Sequence, residues 1–250
     1  MRMSHGAPES PPIDLRERGA PRDGEPQLLD RRVFMQLLCF ECGPTLGPET
    51  AIARLGARLE AAGMPSVIYE DVNHPYGIAV LGFSENPSDF VTKVRPACSD
   101  EGLVGLRMRP ELTMLGRSYS TGFEQDLAFW LIERPKQTVL NQAWPWAVWY
   151  PLRRKGAFER LDPKERGGIM REHGGIGRAY GEADLAHDVR LACHGLDEND
   201  NEFVIGLVGK ELFPLSHVVQ AMRRTRQTAE FMEKMGPFFV GRAVWRHAGS

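Results

Sequence analysis

The chain has 250 residues, 42% of them apolar and 26% charged, with a formal net charge of −2. That length and content support one large core or two small ones, and the near-zero charge leaves no basic field of the kind that non-specific nucleic-acid binding needs. No apolar run approaches the roughly 18 residues of a membrane span, and the N-terminus is rich in Pro, Gly, Glu and Arg where a signal peptide would be apolar, so the cytoplasm is the expected location.

Residues 1 to about 28 lack the apolar content to fold and are expected to form a disordered tail. Val33–Cys42 then reads as a strand, Glu49–Gly63 as a helix, Ser66–Val72 and Tyr76–Phe83 as strands, Pro87–Arg95 as a helix, and Leu103–Tyr119 contains another strand. Glu124–Glu133 reads as a helical connector that ends at the turn-prone Arg134-Pro135. The pattern recurs beyond it: Trp146–Leu152 as a strand, Asp162–Tyr180 as a helix, Asp188–Gly195 and Glu202–Val208 as strands, Pro214–Met235 as a helix, and Phe238–Val244 as a closing strand. Each half has the order β-α-β-β-α-β, which is ferredoxin-like. The expected fold is therefore α+β, with halves at 30–133 and 134–250 packing their sheets into one barrel.

Cys39 and Cys42 have redox or metal-ligand spacing, but no second pair completes a zinc site and no following His suits covalent haem attachment. On a strand, positions i and i+3 project from opposite faces, which separates the two thiols.

The helix beginning near Asp162 is the most informative stretch. Asp162 can accept the free N–H groups of the first turn, Pro163 has no N–H to lose, and Glu165 completes a capping box. Ile169, His173, Ile176 and Tyr180 recur at steps of three and four and form one stripe. Gly174, Gly175 and Gly177 remove side-chain bulk around it, so a flat ligand could approach with His173 as axial ligand to iron. A core histidine bonded to backbone would give the same pattern. On the strand before it, Trp146, Val148, Tyr150 and Leu152 share one face, and Ala147 and Trp149 the other.

Five motifs follow in order: Trp149-Tyr150-Pro151-Leu152-Arg153-Arg154; Met170-Arg171-Glu172-His173-Gly174 with Gly177-Arg178-Ala179-Tyr180; Gly195-Leu196-Asp197-Glu198; Met222-Arg223 with Thr228; and Gly236-Pro237-Phe238-Phe239-Val240-Gly241. Together they resemble the chlorite dismutase-like superfamily, and within it the coproheme decarboxylases, over roughly residues 30 to 243. The resemblance implies that iron coproporphyrin III (coproheme) is both substrate and redox cofactor, that hydrogen peroxide is the oxidant, and that two propionates become vinyls to give haem b. It implies His173 as the iron ligand and Tyr150 as the redox residue, since a tyrosine can bond a propionate, lose an electron and a proton, and take a hydrogen from the propionate β-carbon. Arg154 is implied beside the reactive propionate, Arg223 and Thr228 as further propionate contacts, and Leu152 and Ile176 as walls of the porphyrin site. A homopentamer is also implied, with ferrochelatase as a candidate partner. The alternatives are a chlorite dismutase or peroxidase acting on haem b, which would need a distal arginine, and a non-catalytic haem carrier or sensor.

Three features depart from the family pattern, one being that this chain has no histidine between His74 and His173, where some decarboxylases carry a distal one upstream of the tyrosine. Where the family has a glutamate accepting the N–H of the axial histidine, this chain has Arg226, and Glu230 one turn on is the expected substitute. The distal residue falls ambiguously on Ala186, Asp188 or Arg190, because the segment Gly181–Asp188 is about two residues longer here.

Overall fold

The computed structural model describes residues 12–249. Its elements are, in order, β1 (Glu17–Arg18), β2 (Leu28–Leu29), β3 (Phe34–Cys42), α1 (Pro48–Ala61), β4 (Ser66–Asp71), β5 (Gly77–Ser84), α2 (Arg95–Cys98), β6 (Leu106–Met108) and β7 (Met114–Arg117). They continue with α3 (Arg134–Leu140), β8 (Trp146–Arg154), α4 (Pro163–Glu182), β9 (His187–Ala192), β10 (Phe203–Gly209), α5 (Leu212–Met222), α6 (Arg226–Phe231), β11 (Met232–Met235) and β12 (Phe239–His247). Among the described residues no helix is long and apolar enough to cross a membrane.

The strands confirm two ferredoxin-like halves. In the first, the antiparallel order is β4-β5-β3-β7; in the second it is β9-β10-β8-β12. Pairing of β12 with β4 and of β9 with β7 joins the halves into one closed barrel, so the eight strands have no free edge between them.

Period-two alternation sorts each strand between the barrel interior and an outer face. Met35, Leu37, Cys39, Tyr69, Leu81, Trp149, Val189, Leu191, Val208 and Phe239 fill the interior. Trp149 is 0% exposed, and Gly206 on the neighbouring strand makes room for it: a Cβ there would lie 2.5 Å from the indole ring. With the interior solid, a ligand the size of a porphyrin has to sit outside the barrel.

The two outer faces differ. On the first half, Phe40, Cys42, Ile68, Ile78 and Val80 pack under Leu55 and Leu59 of α1 and under Phe90 and Val94, giving an apolar seal. On the second half, Val148, Tyr150, Leu152 and Leu207 meet Leu215 and Val218 of α5 and Ile176 and Tyr180 of α4. Cys39 and Cys42 lie on opposite faces, as the strand reading requires, and burial raises the pKa of both thiols.

Several expectations are corrected. Of the expected tail, residues 1–11 lie outside the described residues, but 17–29 form a hairpin instead of a disordered segment. Polar contacts hold it with little apolar burial: Gln27 Nε2 donates to the Ala20, Glu124 and Gln125 carbonyls, and Glu17 pairs with Arg117 at 3.1 Å. Arg134-Pro135 does not end the connector; the π-helical turn Phe129–Glu133 runs directly into α3, with Glu133 itself in helical conformation, so the pair lies inside one continuous helical run. The expected single helix Pro214–Met235 breaks at Arg223, restarts at Thr225 as a capped α6, and ends in a short strand on β8. Glu165 does not complete a capping box, because its carboxylate pairs with Arg226 at 2.9 Å.

Candidate active site

Helix α4 starts as its sequence dictates, with the Asp162 carboxylate accepting from Lys164 N at 2.9 Å. Its inward stripe packs against β9, α5 and α6, with Ile169 buried and His173, Ile176 and Tyr180 half-buried. Of the three glycines, Gly177 lies on this inward side, 3.5 Å from the Met222 methyl in Cβ terms; Gly174 and Gly175 are exposed with nothing near them. The close-approach argument therefore holds at Gly177 alone.

His173 Nδ1 lies 3.2 Å from the Thr225 hydroxyl. Burial lowers its pKa against the opposing pull of Glu172, and the Arg190 and Arg154 guanidiniums lower it further, so the ring is held neutral, as metal ligation requires. Glu230 does not take the expected place beside it. Arg226 draws that carboxylate away at 2.9 Å, and the group beside Nδ1 is the hydroxyl of Thr225, one residue earlier.

Facing α4 and α5 is the outer row of the sheet. Ile205 pairs with Tyr150 on one side and with Arg190 on the other, so a single row runs Tyr150, Ile205, Arg190; the next row runs Val148, Leu207, Asp188. Tyr150 and Arg190 are thus about 10 Å apart across one intervening strand. Tyr150 is 5% exposed and stacks on Phe238 with ring centroids 4.6 Å apart. Burial pushes its phenol well up, Asp188 pushes it further, and Arg223 opposes both, so Oη keeps its proton through the neutral range.

The three distal alternatives separate clearly. Ala186 is buried against the α4 and α5 contacts and carries no functional group. Asp188 and Arg190 both face outward and bind each other at 3.0 Å, while Arg134 holds Asp188 at 2.6 Å and also bonds its carbonyl. Burial alone would raise the Asp188 pKa; the two arginines overrule it, and the carboxylate stays below its usual range.

The cations divide in the same way. Arg154 is engaged within the chain: its guanidinium bonds Glu202 and Glu159 and lies over the Phe158 and Phe203 rings at 4.5 and 4.8 Å. A cavity of about 270 Å³ opens beside it, lined by Arg153, Arg154, Lys155, His194, Asp200 and Glu202. Arg223 ends α5 and is exposed, and its guanidinium has no hydrogen-bond or ion-pair partner among the described residues. Thr228 is half-buried, its hydroxyl 3.3 Å from that of Thr225; Leu152 is buried beside Tyr150, and Ile176 sits over the same apolar face.

His173, Tyr150, Leu152, Ile176, Arg223 and Thr228 therefore border one region between the outer sheet and helices α4 to α6, with Arg154 at its edge and turned to its own carboxylates. Sequence reasoning missed Thr225, Glu202 and Arg134. The Thr-x-x-Thr spacing at 225–228, a typical helix start, was a signal for the first; nothing local marks the other two.

A model of the chlorite dismutase family matches residues 120–244, the part that contains all of these side chains. No curated protein matches the chain. Among solved structures, a novel heme-binding protein from Thermus thermophilus is 19% identical with TM-score 0.68, over 87% of this chain and 92% of its own. A mutant chlorite dismutase from Candidatus Nitrospira defluvii in complex with cyanide is 15% identical with TM-score 0.67, over 86% of this chain and 92% of its own. At such identities these likenesses bear on the fold.

Proposed function

We propose that this chain, which belongs to the chlorite dismutase family, is a peroxide-dependent coproheme decarboxylase. The residues present suit an iron porphyrin: a neutral imidazole with Nε2 uncommitted, an apolar face around Leu152 and Ile176, and the free guanidinium of Arg223 for a propionate. The description of the Thermus protein as heme-binding points the same way. When bound, the iron porphyrin supplies the oxidising equivalents of hydrogen peroxide. Each propionate, with one peroxide and one proton, then yields a vinyl group, carbon dioxide and two waters; doing so twice converts coproheme to haem b.

The observation that carries the proposal is Tyr150, a buried, protonated phenol on the sheet face opposite the helix that bears His173. Its Oη can donate to a propionate carboxylate, release its proton and an electron, and take a hydrogen from the β-carbon. Arg223 and the Thr228 hydroxyl orient propionates. Arg154 acts at the reactive one by exchanging a bond to Glu202 or Glu159 for the substrate carboxylate. By the same resemblance the chain forms a homopentamer with a ferrochelatase as a candidate partner, and its composition suits the cytoplasm.

Arg190, on the row of Tyr150, is the feature that favours the second reading, chlorite or peroxide chemistry on haem b. Asp188 clamps it, which weakens its hold on a ligand anion. Tyr150→Phe separates the readings. Folding and coproheme affinity should change little, the hydroxyl being worth about 1 kcal/mol, while haem b formation collapses. Haem b formed at the wild-type rate by the variant would refute the role of Tyr150.

A further inference from the structure

Thr225 is 1% exposed and joins three elements: it follows the end of α5, caps α6, and touches α4 through His173. The shortest contact of its hydroxyl is to the Met222 carbonyl at 2.8 Å, a group that can only accept, so the hydroxyl proton is committed there. The lone pairs of Oγ1 remain to accept, from Thr228 N at 3.4 Å and from His173 Nδ1 at 3.2 Å. Nδ1 must then carry the imidazole proton, and Nε2 the lone pair.

Neighbouring carboxylates cannot take over this role. Glu165 and Glu230 each pair with Arg226 at 2.9 Å, and Glu172 Oε2 accepts from the Arg226 backbone N–H at 3.2 Å. One arginine at the start of α6 thus holds three acidic groups away from the ring. We propose that Thr225 is the positioning residue of His173, fixing the tautomer that presents Nε2 and doing so with an uncharged acceptor.

A hydroxyl draws less on the Nδ1 proton than a carboxylate does, so the imidazole gains little anionic character. A metal bound at Nε2 then has a higher reduction potential than one backed by an anionic acceptor. That consequence, though not the tautomer itself, rests on the proposed haem function.

The test begins on the full-length apoprotein, without any porphyrin. Long-range nitrogen–proton NMR above pH 8 should show His173 with a protonated Nδ1 and a bare Nε2. Thr225→Val should release the ring to the Nε2–H form that free imidazole prefers, and Thr225→Ser should restore the wild-type pattern. A wild-type ring protonated at Nε2, or a Thr225→Val ring with unchanged tautomer, overturns the proposal. In the haem b complex, Thr225→Asp keeps a capping oxygen but makes the acceptor anionic, and the midpoint potential should fall below that of wild type. An unchanged potential overturns the ligand consequence. A chain with the Nδ1–H ring that takes up no haem b overturns the proposed function and this consequence together. An Nε2–H ring in a chain that does bind haem b overturns this inference alone.

Discussion

His173 and Arg223 face the same region with opposite demands. The imidazole is half-buried and kept neutral by its surroundings, whereas the guanidinium is exposed and free of internal partners among the described residues. His173→Ala should therefore abolish the histidine-ligated absorption spectrum of the iron-porphyrin complex while leaving weaker binding through the propionate contacts; a spectrum unchanged by the substitution would mean that another group ligates the iron. Arg223→Ala should weaken coproheme more than haem b, since haem b has two fewer propionates. Its exposure keeps the effect near 1 kcal/mol, roughly fivefold in Kd, by comparison with the larger cost of losing a buried charged bond. Equal losses for the two ligands, measured by titration, would show that Arg223 contributes no propionate contact. At this scale the sequence was informative wherever a residue's role follows from its own element: the stripe of α4 and the alternation of β8 put His173 and Tyr150 on the correct faces. It was uninformative wherever the partner comes from elsewhere. Glu202 reaches Arg154 across 48 positions, and Arg134 reaches Asp188 across 54.

The strand β9 shows what element-level packing adds. Alternation puts Val189 and Leu191 in the barrel and leaves Asp188 and Arg190 outside, where Arg134 arrives from α3. Since the helical connector runs on through a residue pair that reads locally as a turn, neither this continuation nor the ion pair could be anticipated. Asp188 has a folded pKa below its unfolded value despite burial, so the stability it contributes is present above pH 4 or so and is lost as pH falls through the depressed folded value. Asp188→Asn should lower the melting temperature at pH 7, and the variant should lose less further stability than wild type between pH 4 and pH 2. Parallel acid-denaturation curves for the two proteins would show that the Arg134–Asp188–Arg190 cluster contributes nothing specific. The same kind of competition explains the interrupted helix after α5: apolar periodicity runs through to Met235, but Thr225 offers a side-chain cap and Met232–Met235 finds a partner in β8, and these long-range pairings prevail over local propensity.

At the scale of the molecule, the duplicated fold creates two equivalent outer faces and uses them differently. The first is sealed by α1 and α2 with apolar side chains, and the second collects a histidine, a buried tyrosine and unpaired or clustered arginines under α4 to α6. The order of strands and helices revealed the duplication, because each half repeats the same alternation of periods. That the halves pack into one barrel was also expected, but the pairs that close it, β12 with β4 and β9 with β7, were not legible, since each joins strands far apart along the chain. The asymmetry puts His173, Tyr150 and Arg223 on the second half, and it is there that the proposed function would bring substrate carboxylates. The most direct measurement is to incubate the purified apoprotein with iron coproporphyrin III and hydrogen peroxide and follow the porphyrin by mass. The account predicts stepwise loss of two carboxyl groups and accumulation of haem b, with no haem b formed when peroxide is withheld. Coproheme that binds but keeps all four propionates would contradict it, and oxygen release from chlorite by the same preparation loaded with haem b would assign the site to the other chemistry of the fold.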